Sequence, residues 1–401
     1  SLFAHQTIVK NYKIYLAISF LSILLTLYLF ETYLTFNLNK PEINKVKIKE
    51  EFEKKNAQNY ESRSKYQFFK DISDNNENFT VTVAPIKFND PNKNIHFLSG
   101  TSNSKTIDCN ENGYFSIYLS DRFGFNNPND QWESENIKYI LLGDSFVHGA
   151  CVNRPNDIAS QLRILSNKNV INLGYKANGP LSMLATLKEY MPKNTENVLW
   201  FYFEGNDLND LESELNNEIL IKYFYNINFK QNLKKKQKII DLLNKKIIFK
   251  SIDLEDRIID QATRNARLKN KLLKFIRLNE TKKVFNLKKI EQTEKKLPIE
   301  QFKNIIENAK KYVEKNNSKL HFVYLPQFER YNNKVLNSNY DQIKQIVKEL
   351  DINFIDVHKE VFLKHKDPLE LFPFKMWGHY NENGYKKVTN HIYENLKQYG
   401  N

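Results

Sequence analysis

The stretch YILLGDSFVHGACV, Tyr139 to Val152, sets an apolar run of four residues against a turn of Gly143, Asp144 and Ser145. A short apolar run bounded by turn residues reads as a buried strand. A serine at a strand-to-helix turn stands at the rim of a sheet, with its own backbone N–H facing the same space. That is the geometry an acyl-transfer nucleophile needs, because the tetrahedral oxyanion must meet nearby donors. Three turn residues in a row recur widely, so the meaning of this turn depends on what surrounds it.

Beyond the turn, strands and helices alternate. A helix is expected at Asn156–Ser166, a strand at Val170–Leu173 and a helix at Leu181–Tyr190. Asn197–Phe203 (NVLWFYF) reads as a strand, Ile299–Asn316 as a helix, and Lys319–Leu325 (KLHFVYL) as a strand. Tyr340–Glu349 reads as a helix, Asn353–Val357 as the last strand, and Gly384–Tyr399 as a closing helix. Apolar strands alternating with amphipathic helices imply an α/β fold with a parallel sheet covered on both faces. Reactive groups in such sheets gather at the carboxyl ends of the strands.

The flanking segments differ in character. Ile14 to Phe30, IYLAISFLSILLTLYLF, is an uncharged run of 17 residues preceded by Lys10 and Lys13, whereas mean hydropathy over the chain is −0.61. It reads as a single membrane anchor, with the preceding lysines on the cytoplasmic side and the bulk of the chain extracytoplasmic, on the periplasmic side. A cleaved signal peptide would need a small-x-small site after the run, and a buried core helix is the structural alternative. Residues 1–38 are thus taken as tail and anchor, 39–136 as stalk and lead-in, and 137–400 as the catalytic-type domain. Within that domain 211–297 is read as a helical insertion. Stretches such as KQKIIDLLNKKIIFK and RNARLKNKLLKFIRL space their apolar residues by three and four, as helices do.

Charge is concentrated in that insertion. Of 60 Lys and Arg and 47 Asp and Glu, 21 and 8 lie between Lys230 and Lys296, so the whole net charge of +13 comes from this segment. It is expected to be a hairpin packed on the core, or an arm that meets an anionic surface beside the site. With the bulk outside the cytoplasm, acidic lipid or glycan is the expected partner and nucleic acid is not. Cys109 and Cys151 are the two cysteines; export permits a disulfide, and two buried free thiols are the alternative.

Three stretches converge on Ser145. NLGYKANGP, Asn172–Pro180, ends the second strand with small residues whose N–H groups can face the serine. FEGNDLND ends the third and brings Asn206, an amide that can donate to an oxyanion or merely cap a helix. GHYNENGY, Gly378–Tyr385, puts His379 before the closing helix as a general base. His148 is a competing base, but it sits on the helix leaving the turn.

Through these residues the chain resembles the SGNH hydrolases, the GDSL esterase and lipase superfamily, over roughly Tyr139–Tyr399 with the insertion set aside. Ser145 matches the serine block, Asn206 in Gly205-Asn206-Asp207 the asparagine block, and His379 the histidine block. The resemblance implies a flavodoxin-like three-layer α/β/α fold and hydrolysis or transfer of O-acyl esters, with no metal and no other cofactor. Together with the anchor, it is nearest to envelope-associated bacterial members. Two departures stand out. Ala177 occupies the position of the second-block glycine; its N–H can serve if its φ is negative, and Gly174 or Gly179 are alternatives. Met376 stands where the family carries the aspartate that orients the histidine, so Asp367 in KDPLELFPF, or a backbone carbonyl, must replace it.

These residues together describe a membrane-anchored serine O-acyl esterase or O-acyltransferase, acting on acyl, most naturally acetyl, esters of envelope glycans or lipids. Its catalytic residues would be Ser145, His379 and Asp367, and its oxyanion hole Ala177 and Asn206. The competing reading, drawn from the missing aspartate, is a non-catalytic glycan-binding or assembly protein on the same scaffold.

Overall fold

The computed structural model describes residues 2–38, 50, 52–53, 60–73, 78–85, 95–226, 228–259, 272–284, 297–332, 339–376 and 378–399. Most of the expected stalk, and the insertion residues 260–271 and 285–296, lie outside them. The chain divides into two compact units, residues 1–59 with 253–296, and residues 60–252 with 297–401.

In the first unit, one helix runs from Leu2 to Leu38. Its segment Tyr12–Thr35, 24 residues of mean hydropathy 2.0, is long and apolar enough to cross a membrane and only 6% buried. At 1.5 Å per residue that is about 36 Å, more than a hydrocarbon core requires. Near its C-terminal end, Glu31 accepts bonds from the Thr281 N–H and hydroxyl, both at 2.7 Å, at the helix Asn279–Val284.

The second unit holds two sheets. A small one pairs β1 (Phe79–Val81) parallel with β2 (Lys105–Ile107), and β2 antiparallel with β3 (Ile117–Leu119). The larger one consists of β4 (Ile137–Leu142), β5 (Val170–Asn172), β6 (Thr195–Phe203), β7 (Lys319–Leu325) and β8 (Asn353–Asp356). All its pairs are parallel, in the order β5-β4-β6-β7-β8. Numbered from β4, this is the 2-1-3-4-5 order of flavodoxin-like sheets. The chain leaves β4 on one side and returns on the other, opening a crevice at the carboxyl ends of β4 and β6.

Alternation along the strands produces two cores. Ile140, Leu142, Val198, Trp200, Tyr202, Phe322 and Tyr324 face the helices Pro180–Tyr190, Ile299–Lys315 and Tyr340–Glu349. Tyr139, Leu141, Leu199, Phe201, Val323 and Leu325 face the helices Ile158–Ser166 and Glu382–Tyr399. Strands covered on both faces have no polar side to spare, which is why they read as continuous apolar runs rather than as alternating ones.

Part of the insertion packs on the first of these cores. The helix Gln237–Ile259 buries Ile240, Ile247 and Ile248, and Asp241 accepts bonds from the Ser102 N–H and hydroxyl at 2.9 and 2.8 Å. Its first half therefore packs against the domain core.

Candidate active site

β4 ends at Leu142, and Gly143 lets the chain turn tightly against its neighbours. A Cβ there would lie 2.3 Å from Val147 Cγ2 and 3.2 Å from Phe201 Cβ. Asp144 caps the single helical turn Ser145–His148 by accepting the Phe146 N–H at 2.9 Å. Ser145 is thereby the first residue of that turn, and its own N–H has no acceptor among the described residues.

His379 arrives from 234 residues away, and its Nε2 lies 2.8 Å from Ser145 Oγ. Two neighbours present it. Tyr380 is fully buried and donates to the Pro326 carbonyl at 2.6 Å, and Asn381 bonds the Glu370 and Phe372 carbonyls while capping the closing helix. The Phe146 ring lies 4.6 Å from the imidazole, centroid to centroid, and walls one side.

The other imidazole nitrogen meets Glu111, a residue that sequence reasoning misses. His379 Nδ1 is 3.0 and 3.1 Å from the two carboxylate oxygens, and the His379 backbone N–H donates to Glu111 Oε2 at 2.6 Å. A carboxylate only accepts, so this geometry selects the tautomer with its proton on Nδ1 and leaves Nε2 to accept from the serine hydroxyl. Gly378, at φ +133°, makes room, since a Cβ there would come within 2.5 Å of Glu111 Oε2.

Asp367 is not brought to His379. Its carboxylate accepts the Leu369 N–H at 3.1 Å, capping the turn Pro368–Leu371, and pairs with Lys375 at 2.8 Å. The local chain already satisfies it, so nothing draws it inward. His148, the competing base, is buried with Nδ1 3.3 Å from the Gly174 carbonyl, edge-on to Tyr118 and Tyr175. Cys109 and Cys151 form a disulfide, and Cys151 Sγ lies 3.9 Å from His379 Nδ1.

The donors for an oxyanion divide clearly. Gly174 N–H is taken by Asn172 Oδ1 and Gly179 N–H by Glu214 Oε1, whereas Ala177 N–H has no acceptor among the described residues. Ala177 lies in a turn closed by Asn178 N–H to the Tyr175 carbonyl at 3.1 Å. Its φ is +60°, so the condition of a negative φ set from the sequence is not met. The preceding peptide plane sets where that N–H points, so the positive φ does not withdraw the donor but does strain the residue. An L-residue there costs about 1–2 kcal/mol, partly offset in glycine by about 0.4–1 kcal/mol of unfolded-state entropy. Ala177→Gly is accordingly expected to raise stability by up to about 1 kcal/mol, read as a higher urea midpoint at unchanged m; a lower midpoint would contradict the strain.

Asn206 sits at the N-cap position of the helix Asp207–Glu214, but its side chain makes no cap bond. Its Oδ1 is buried without a partner, and its Nδ2 donates to no described residue. The capping alternative is therefore absent and the amide is free to donate. Asn206→Ala is expected to lower kcat about 10²–10³-fold while costing less stability than an ordinary cap, under about 1 kcal/mol. An unfolding midpoint that collapses with kcat intact would assign the residue to structure instead.

Charges around the site set its protonation. Burial pushes the His379 imidazole down, but the charge and hydrogen bond of Glu111, with Asp144 behind, outweigh burial and the opposing Lys176, so the net direction is up. Burial likewise pushes Glu111 up, and His379 with Lys176 brings it below its ordinary range. Asp144 in the turn and Asp207 at the start of the helix Asp207–Glu214 are both raised by burial, and Asp207 is raised further by the charge of Asp144.

No family model matches the chain, and no curated protein matches its sequence. Among solved structures it is similar to a protein described as lipolytic and of the G-D-S-L family from Desulfitobacterium hafniense DCB-2, at 16% identity and TM-score 0.36 over 65% of this chain and 100% of that one. It is also similar to an acetyl xylan esterase, at 11% identity and TM-score 0.36 over 64% and 98%. A third is a lipase/acylhydrolase from Enterococcus faecalis, at 12% identity and TM-score 0.37 over 66% and 96%.

Proposed function

We propose that this chain, an α/β/α protein with the SGNH arrangement of serine, asparagine and histidine at the strand ends, is a serine O-acyl esterase or O-acyltransferase with Glu111 as its acid. The observation that carries the reading is the continuous hydrogen-bonded line from Glu111 through His379 to Ser145 Oγ. Ser145 Oγ attacks the acyl carbonyl carbon as His379 Nε2 takes its proton. The oxyanion is met by the Ser145 and Ala177 N–H groups and the Asn206 amide. The ester C–O bond then breaks, the leaving oxygen takes the proton from Nε2, and an acyl-serine remains. Water or an acceptor hydroxyl gives its proton to Nε2 and attacks that ester. The bond from the acyl carbon to Ser145 Oγ breaks, Oγ takes the proton back from Nε2, and the acyl group leaves as the free acid or on the acceptor.

The apolar helix Tyr12–Thr35 supports a single-pass anchor, with the bulk of the chain on the extracytoplasmic side where acylated envelope glycans and lipids are found. The basic segment 230–296 supports contact with an anionic surface there. A small acyl group, acetyl foremost, is the proposed cargo.

Detergent-solubilised full chain, incubated with O-acetylated polysaccharide, should release acetate or move it to an added unacetylated sugar. Absence of both over a panel of acetylated glycans and lipids would favour the non-catalytic scaffold. Activity requires the neutral imidazole, so kcat/KM should fall as pH drops through a midpoint above the ordinary histidine value near 6.5. That midpoint should move down when Glu111 is neutralised; a midpoint indifferent to Glu111 would contradict the assignment.

A further inference from the structure

We propose that the Cys109–Cys151 disulfide positions Glu111 against His379, so that the acid's grip on the base depends on this covalent link. The inference rests on the serine-enzyme reading above and goes beyond it, because it assigns a role in the reaction to two residues that touch no substrate.

The nucleophile and the acid belong to different sheets. Ser145 follows β4 of the five-stranded sheet, whereas Glu111 sits in the loop between β2 and β3 of the small one. That loop is closed at its root by Ser116 N–H to the Cys109 carbonyl at 3.0 Å and Asp108 N–H to the Ser116 carbonyl at 2.9 Å. Within it, Asn110 Oδ1 accepts the Gly113 N–H at 2.9 Å, which shapes the turn without tying it to the nucleophile's strand. The tie is made next door. Cys109, two residues before Glu111, is bonded to Cys151, six residues after Ser145, and Asn112 Nδ2 donates to the Cys151 carbonyl at 2.9 Å. Cys151 is itself held at φ +63° just beyond Gly149, which closes the serine turn with its N–H on the Phe146 carbonyl.

The result is a closed ring: Ser145, the turn to Cys151, the disulfide, Cys109, Glu111, His379, and back to Ser145 at 2.8 Å. Opening the sulfur link leaves the acid's loop and its root held near the site by single hydrogen bonds and one ion pair. The bonds run from Asn112 to the Cys151 carbonyl, from the Tyr114 hydroxyl to Glu382 and from the Ile117 N–H to Asn153, and the pair is Lys176–Asp108. A displacement of about 1 Å in a positioning group can cost about 10²-fold in rate.

The test is a double-mutant cycle on the full chain, read as the rate and pH profile of Ser145 phosphonylation by a fluorophosphonate, with adducts mapped by mass spectrometry. Cys109→Ser/Cys151→Ser should slow labelling about 10²-fold and shift the acid limb downward. The groups facing the imidazole are Glu111, Lys176 and Asp144, and only Glu111 is on the released loop. In a Glu111→Gln background the same cysteine pair should cost little more, because the acid it positions is already gone.

Unchanged rate and pH profile in the cysteine variant, or full multiplication of the two effects, would overturn the inference and leave the serine-enzyme reading standing. Absence of any Ser145 adduct in the native protein would instead overturn that reading, and this proposal with it. Should the double variant fail to fold, native protein opened by dithiothreitol and closed again by oxidised glutathione supplies the same comparison. EDTA must be present throughout, because free thiolates bind divalent metals. Reversible slowing with a downward shift supports the proposal; no change refutes it.

Discussion

Glu111→Gln is expected to lower kcat by about 10⁴ with little change in KM, and Asp367→Asn to leave both nearly untouched. The reason is tautomeric. The carboxylate accepts from Nδ1–H of His379 and so keeps Nε2 free to accept the proton of Ser145 Oγ. A glutamine amide placed there offers an N–H to Nδ1, driving the imidazole proton to Nε2, where it faces the serine as a donor. The geometry survives and the base is lost. Asp367 by contrast is half-exposed, capping a 3₁₀ turn and pairing with Lys375, so its removal touches only local stability. Surface pairs of that kind contribute at most about 1 kcal/mol. Steady-state kinetics of the two variants on a chromogenic acetate ester decide the matter; equal losses in both, or a loss confined to Asp367→Asn, would reject Glu111.

Ser145→Ala carries the largest effect, a loss of about 10⁶ in kcat with the fold unchanged. Residual acceleration of about 10³–10⁴ over water should survive, because the oxyanion donors remain. The side chain is one hydroxyl at the first position of a helical turn whose cap is Asp144, so an unchanged thermal midpoint is expected beside the lost activity. Retention of more than about a hundredth of the native rate would show that another group serves as nucleophile.

Much of this architecture is readable in the chain. The strands of the large sheet fall within two residues of where their apolar runs place them, because a strand covered on both faces must be apolar throughout. Ser145, Asn206 and His379 are readable for a related reason: each stands just after a buried strand or before a closing helix, where punctuation by glycine and asparagine marks the rim. Glu111 obeys no such rule. It lies 268 positions from its partner, in a hairpin loop of a different sheet, and glutamate in a loop is ordinarily a solvated residue. A signal is nevertheless present, since a bond between Cys109 and Cys151 would bring TIDCNENGY beside the serine turn, and the acid is two residues from that bond. Asp367 attracts attention because it falls in the stretch where an acid is sought, but a short-range cap and a lysine already occupy it. The φ of Ala177 is not readable either, because alanine gives no hint of a left-handed turn that glycine or asparagine would have announced.

Everything rests on the hydroxyl at position 145 being made nucleophilic by the imidazole and carboxylate lined up behind it. Titrating the folded full chain with a fluorophosphonate at neutral pH, then mapping the adduct by mass spectrometry, tests this most directly. One phosphonyl group per chain on Ser145, formed at least about 10²-fold more slowly in Glu111→Gln and His379→Ala, is the expected result. Folded protein that takes no adduct, or takes it at another residue at the same rate in all three forms, would contradict it.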